Sequence, residues 1–462
     1  MINVLNQTDS IRVVKHFNST NYNKVELIEF ANGDLIETSV ITQIAIQNQA
    51  TAGNDIITGT NGRDTLAGLA GNDTLSGGDG GDGGDIYYFS DGFGQDIVRE
   101  SKLAITADDD SIIFAGNLTS NKVQFSRVIQ NNASAHLVIN FQGSTDQITI
   151  EKQFNNLQYN DVETFTFADG VTMTDLDVQK IILKDLTTIG DDSVVGYGGD
   201  DVFDVSLGND TLVGGYGNDI YNFSRMMGQD FVRDVAYNNS SKNDIVQFDN
   251  GININNLTLK IIPVNFGNSD LLIGLNGTND SMRISDQFDG GTYSTSEIEI
   301  YRFADGTQMT SEQMRLTYLE RLATPENDVI QGSNRADYIT GLAGNDSLIG
   351  AHGKDILVGG TGKDTLVGGA DDDIFTFTNN ADSTKENSDI ITDFNPNGDK
   401  IKVTGLGYNG KLDTDGGNTA AGELRFYNSG SSAIITSDQT GFSVQLSGNY
   451  TATNFSDADF IW

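Results

Sequence analysis

The sequence predicts an all-β protein in which parallel β-roll (β-solenoid) blocks alternate with β-rich inter-block domains. Three observations carry that prediction. Aspartates recur every nine residues at Asp328, Asp337, Asp346, Asp355, Asp364 and Asp373, each followed two positions later by an apolar residue, Ile330, Ile339, Leu348, Leu357, Leu366 and Phe375. A longer period of about 136 residues repeats whole strand-and-turn segments. Between the aspartate runs, stretches such as Leu137-Val-Ile-Asn-Phe141 and Gln147-Ile-Thr-Ile150 alternate with period two, as half-buried strands do.

Along the chain, residues 1–50 read as the tail of a truncated repeat unit. Asp9-Ser-Ile-Arg-Val13 matches Asp146-Gln-Ile-Thr-Ile150 and Asp280-Ser-Met-Arg-Ile284, but what precedes those strands has no counterpart before Asp9, so the chain is expected to be a fragment of a longer protein, the favoured reading, or the product of an open reading frame that lost its 5′ portion. Residues 51–89 form the first roll block. Asp55, Asp64, Asp73 and Asp82 keep the spacing of nine, then the frame slips by three and resumes at Asp85 and Tyr87. Residues 90–185 form a β-rich domain, 186–223 the second block with Asp192, Asp201, Asp210 and Asp219, and 224–324 a second β-rich domain.

The two β-rich domains are copies. Asp85-Ile-Tyr-Tyr-Phe-Ser90 with Gly94-Gln95-Asp96 recurs 134 residues later as Asp219-Ile-Tyr-Asn-Phe-Ser224 with Gly228-Gln229-Asp230. Val162-Glu-Thr-Phe-Thr-Phe-Ala-Asp-Gly170 recurs as Ile298-Glu-Ile-Tyr-Arg-Phe-Ala-Asp-Gly306, and earlier as Val25-Glu-Leu-Ile-Glu-Phe-Ala-Asn-Gly33. Ala-Asp-Gly signals a tight turn. After it, Thr174-Asp175 and Thr310-Ser311 should start short helices, Gln313 completing a capping box on Thr310. Residues 325–377 are the third block and 378–462 a C-terminal module.

Of 462 residues, 65 are acidic and 27 basic, for a net charge of −38, and 52 of the acidic residues are Asp. Tight turns and calcium loops favour the shorter carboxylate; solubility alone does not. The charge argues against nucleic acid and anionic membranes as partners. With 53 Gly and 3 Pro, the chain asks for many left-handed or crowded backbone positions. The lack of cysteine excludes disulfides and thiolate metal sites. No apolar run approaches the about 18 residues of a membrane span, and Met1 to Phe17 lacks the charged start and apolar core of a secretory signal.

A Gly-Gly-x-Gly-x-Asp-x-apolar-x repeat suits Ca2+, which takes six to eight oxygens from carboxylates and carbonyls. Gly62, Gly71, Gly208, Gly217, Gly344, Gly353 and Gly362 are the turn glycines expected to present carbonyls inward. The expected metal ligands are Asp55, Asp64, Asp73, Asp82, Asp85, Asp192, Asp201, Asp210, Asp219, Asp328, Asp337, Asp346, Asp355, Asp364 and Asp373. Successive nonapeptides lie on opposite edges of a roll, so neighbours along an edge are 18 residues apart. Asp328 then faces Asp346, Asp337 faces Asp355, Asp192 faces Asp210 and Asp64 faces Asp82. Such pairing predicts several ions, roughly eight.

These motifs resemble those of the RTX (repeats-in-toxin) family, with its haemolysin-type calcium-binding nonapeptides. Gly94-Gln95-Asp96 and Phe167-Ala168-Asp169-Gly170 resemble the calcium-binding-related domain that alternates with such blocks in bacterial toxins and adhesins. Asp389-Ile-Ile-Thr-Asp-Phe394, Gly422-Glu-Leu-Arg-Phe426 and Asp457-Ala-Asp-Phe-Ile-Trp462 resemble the C-terminal module of serralysin-type secreted proteins. The resemblance implies a parallel β-roll, calcium-driven folding, an uncleaved type I secretion signal with the type I secretion apparatus as partner, and an extracellular protein of a Gram-negative bacterium.

An enzyme is not expected. His16, His136 and His352 have no second histidine at i+4, and no Gly-x-Ser-x-Gly elbow occurs. The alternative to a non-catalytic calcium-folded module is a calcium-dependent adhesin, a glycan or host-surface binder with Tyr87, Tyr88, Tyr221 and Phe223 as a sugar platform.

Overall fold

Each nonapeptide supplies a turn and a strand of two to six residues, too short to bury a face alone, so the strands stack. The computed structural model describes residues 2–3, 10–11, 27–29, 34–60, 62–78, 84–100, 109–130, 134–154, 162–234, 243–264, 268–288, 297–408, 410–413, 422–451 and 454–462. Asp82 and His16 lie outside them. Two units result, Met1–Leu186 and Thr187–Trp462.

In the first unit, successive strands alternate between two sheets. Ile56–Thr58, Thr74–Ser76 and Gln95–Arg99 run parallel in one sheet. Thr65–Leu66, Ile86–Phe89, Ser111–Phe114 and Thr164–Thr166 run parallel in the other. Ile56 pairs with Thr74, the 18-residue step expected of a roll. Each rung turns one apolar side chain inward: Ile57, Leu66, Leu75 and Tyr87 are all fully buried. At about 2–3 kcal/mol per buried side chain, this core is one residue thick.

The inter-block stretch continues the stacking of the roll past residue 90. Its strand Gln147–Ile150 pairs in parallel with Gln95–Arg99, extending the roll, and the hairpin Val123–Gln130 with Ser134–Phe141 adds antiparallel strands to the same sheet. Sequence spacing hid this, because insertions separate the added rungs. The unit closes with Thr172–Thr174 and helix α2, Asp175–Leu186. The same strand–helix ending occurs at Leu35–Glu37 with α1, Thr38–Gln47. The Gln43 side chain of α1 finishes a roll edge, its Nε2 donating to the Thr65 carbonyl at 2.7 Å.

The second unit contains a roll with the same strand order, Ser193–Val195, Thr211–Val213, Gln229–Arg233 and Ser281–Ile284 in one sheet, Val202–Phe203, Ile220–Phe223, Ile245–Phe248 and Ile300–Arg302 in the other. Helix α3, Ser311–Leu322, begins at the expected Thr310–Gln313 capping box. The last roll follows. Val329–Gln331, Ser347–His352, Thr365–Ala370 and Asp389–Ile391 stack in one sheet. Tyr338–Thr340, Ile356–Val358, Ile374–Thr376, Lys400–Lys402 and Phe460–Ile461 stack in the other. The C-terminal module thus continues the third roll down to its final strand.

Candidate metal centre

The aspartates line up in two columns per roll because each one precedes a parallel rung. In the last roll the backbone N–H of Asp328 donates to Asp346 Oδ1 at 2.8 Å, Asp346 to Asp364 at 2.8 Å and Asp364 to Asp389 at 2.9 Å. The second column runs from Asp337 to Asp355, Asp373 and Asp399. The middle roll holds Asp192, Asp210 and Asp230 in one column, and Asp201, Asp219, Asp244 and Glu299 in the other. In the first, Asp55, Asp73 and Asp96 form one column. The backbone N–H of Asp64 there donates to Asp85 Oδ1 at 2.8 Å, so Asp85, after the three-residue slip, carries the ladder on; the expected partner Asp82 lies outside the described residues. Asp85 leads on to Asp110 and Glu163.

One carboxylate oxygen therefore serves the ladder, and the other sets the chemistry. Asp73, Asp210, Asp219, Asp346, Asp355, Asp364 and Asp373 are buried, and the Oδ2 of each has no hydrogen-bond partner. Except at Asp210, where Val205 takes the place, that oxygen faces the first glycine of its own repeat: a Cβ on Gly350, Gly359 or Gly368 would collide with Asp355, Asp364 or Asp373 Oδ2. Burial, with neighbouring carboxylates adding to it, pushes the pKa of Asp219 up to about 9, Asp355 to about 8, Asp373 to about 7 and Asp364 to about 6. A buried, unsatisfied anionic oxygen is costly. A hard cation with oxygen preference fits this donor set.

The leading rungs are built differently. Thr51, Thr188, Thr324 and Ser333 each offer a backbone N–H and a hydroxyl to the Oδ2 of Asp55, Asp192, Asp328 and Asp337, and Thr60 does so for Asp64. Asp337 also meets the guanidinium of Arg315, a buried side chain of α3 that pairs with Glu312 at 2.5 Å. Tyr197 N–H donates to Asp201 Oδ2 at 2.6 Å.

Gly71, Gly208, Gly217, Gly344, Gly353 and Gly362 have positive φ, and a Cβ on Gly344 would strike the Glu326 carbonyl. Gly62 differs from the expectation: its φ is not left-handed and nothing lies within 4 Å of its missing Cβ. Sequence spacing missed Asp96, Asp110, Glu163, Asp230, Asp244, Glu299, Asp389 and Asp399. Each is nevertheless followed two residues later by a fully buried residue: Val98, Ile112, Phe165, Val232, Val246, Tyr301, Ile391 and Ile401. Of the four aromatics offered for a sugar platform, Tyr87, Tyr221 and Phe223 are core residues and Tyr88 is exposed. His136 is buried, its Nδ1 accepting from the Lys152 N–H at 3.2 Å. No helix among the described residues is long and apolar enough to cross a membrane.

Models of known families match parts of the chain. The family model of the RTX calcium-binding nonapeptide repeat matches residues 49–84 and 186–221. That of the haemolysin-type calcium binding protein related domain matches 1–35, 136–176 and 270–313, and that of the peptidase M10 serralysin C terminal matches 325–458. No curated protein matches. Among solved structures, the AlgE6R3 subunit of the mannuronan C5-epimerase of Azotobacter vinelandii is 31% identical over 30% of this chain and 82% of that chain, with a TM-score of 0.25. The AlgE6R2 subunit is 33% identical over 29% and 92%, with a TM-score of 0.23. The extracellular lipase LipA of Serratia marcescens is 13% identical over 89% of this chain and 39% of that chain, with a TM-score of 0.23.

Proposed function

Because the chain belongs to the RTX family, we propose that it is a non-catalytic region of a secreted protein, unfolded during type I export and folded outside the cell by calcium held in its aspartate columns. The observation that carries this reading is the set of buried Oδ2 atoms without hydrogen bonds, facing glycine positions where no side chain fits. Calcium, when bound, supplies the positive charge that these oxygens need.

The chain's own residues do the rest. Oδ1 of each column aspartate fixes the register of the rung before it, and the buried apolar residue two positions on ties the rung to the core. At the submicromolar calcium of a cell interior, sites of about 0.2 mM stay vacant and like charges oppose stacking. In a medium with roughly 2 mM calcium each such site contributes about 1.4 kcal/mol, so several together decide between folded and unfolded chain. Of the four aromatics offered for the adhesin alternative, three lie in the core. Circular dichroism tests the proposal: β signal should be low in chelator and rise cooperatively with millimolar calcium, while magnesium, which demands a tighter octahedron, substitutes poorly. Equal spectra with and without calcium refute it.

A further inference from the structure

Beyond the columns, the structure gathers carboxylates in a second way. Asp219, Asp234 and Asp244 each bring an oxygen within 4.8 Å of the other two, and all three residues are fully buried. Asp234 belongs to no column. It follows the strand Gln229–Arg233 of one sheet and accepts from the Gly215 N–H at 3.3 Å, whereas Asp219 and Asp244 precede strands of the opposite sheet.

Two further atoms converge on the same place. Asp219 Oδ2 has no hydrogen-bond partner, and the fully buried Tyr221 hydroxyl donates to no acceptor. Both crowd the bare Cα of Gly214, where a Cβ would collide with each of them. The arrangement recurs 134 residues earlier. Asp85, Glu100 and Asp110 again lie within 4.8 Å of one another, and the Tyr87 hydroxyl, facing Gly77, donates to Glu100. In the last roll the tyrosine position is Phe375, so the phenol belongs to the two inter-block copies.

Three buried carboxylates at this separation repel one another. With a phenol oxygen beside them they make a hard, all-oxygen donor set. We propose that Asp219, Asp234, Asp244 and Tyr221 form a divalent-cation site separate from the nonapeptide columns, and that Asp85, Glu100, Asp110 and Tyr87 form its counterpart. A cation there staples the two sheets together where a roll passes into its inter-block strands. The site rests on the calcium reading for its cation and shares Asp85, Asp110, Asp219 and Asp244 with the columns, but Asp234 and Glu100 are side chains that the nonapeptide does not contain.

The test is equilibrium dialysis of the full chain against saturating calcium, counting ions per chain, with circular dichroism to verify folding. Asp234→Asn and Glu100→Gln should each bind one ion fewer than the wild type. Terbium, exchanged for calcium and excited through tyrosine, should lose emission in Tyr221→Phe. If Asp234→Asn does not fold, Glu100→Gln in the other unit decides the matter. Unchanged ion counts in the folded variants, with normal calcium uptake by the wild type, overturn this site alone, because protons then suffice to hold the clusters. No calcium uptake by the wild type overturns the column reading as well.

Discussion

Acid should do part of the work of calcium. In the calcium-free fold, burial raises several of the inner column carboxyls above their ordinary 3.8, Asp96 to about 7 in the first unit and Asp364 to about 6 in the second. The folded chain then holds protons that the unfolded chain releases. The stability this contributes is complete below about pH 3.8 and is lost as pH rises through the folded values, so a calcium-free chain gains stability on acidification. Moving from about pH 8 to about pH 5 returns about 2.7 kcal/mol from Asp96 and about 1.4 kcal/mol from Asp364. Neighbours within a column share protons, so the contributions of a whole column do not add. Far-ultraviolet circular dichroism in calcium-stripped buffer should show β signal growing over this range. Asp96→Asn keeps the acceptor for the Asp73 N–H but cannot titrate, and should weaken the response of the first unit. Asp305→Asn is the control, because that exposed carboxyl is held below 3.8 by the Thr307 N–H and should leave the response unchanged. A β signal that stays flat or falls on acidification refutes the reasoning.

Asp355→Asn should raise the calcium midpoint of the last roll several-fold more than Asp328→Asn, since Thr324 already satisfies Asp328 Oδ2; equal shifts in a calcium titration contradict this. Trp462 stacks on Phe460, whose strand pairs with Lys400–Lys402, so its emission should follow calcium binding to the last roll. Asp355→Asn should move that midpoint and Asp64→Asn should not; an equal effect of Asp64 would mean that the units fold as one. Leu342 has φ +71° at a position where the repeat calls for glycine. Leu342→Gly should relieve about 1–2 kcal/mol of strain against about 0.5–1 kcal/mol of added chain entropy, raising the urea midpoint in saturating calcium; a lowered midpoint speaks against strain there.

The fold was legible wherever the spacing of nine is unbroken. From Asp328 to Asp373 each expected inward residue is buried and each 18-residue pair is joined by a hydrogen bond from the backbone N–H of one aspartate to the carboxylate Oδ1 of the next. The columns beyond the blocks were not read, although Asp96-Ile-Val98 and Asp244-Ile-Val246 use the same grammar, because insertions break the count that makes the repeat visible. A parallel rung needs only its own few residues and the edge beneath it, so the length of the intervening loop leaves no periodic trace. Polar satisfaction was equally hidden. A threonine four residues before Asp55, Asp192 and Asp328 distinguishes the hydroxyl-held rungs, a signal present in the sequence but meaningful only once the turn geometry is known. Arg315 reaches Asp337 from a helix, and no local pattern announces that.

The hydroxyl-held rungs give each roll a direction. A roll is a one-dimensional stack in which every rung rests on its neighbour. At the N-terminal end Thr324, Ser333 and the Arg315 guanidinium supply from the chain itself what later rungs need from solution. That end acts like the fixed stop of a zip: a rung laid on it meets a finished edge in both columns, whereas at the far end Asp399 is held by the Asn395 N–H but Asp389 Oδ2 is bare and buried. Shortening a roll is therefore unequal at its two ends. Rungs removed from the C-terminal side leave the stop in place and a shorter zip that still closes; loss of the first rung removes the anchor from all the others.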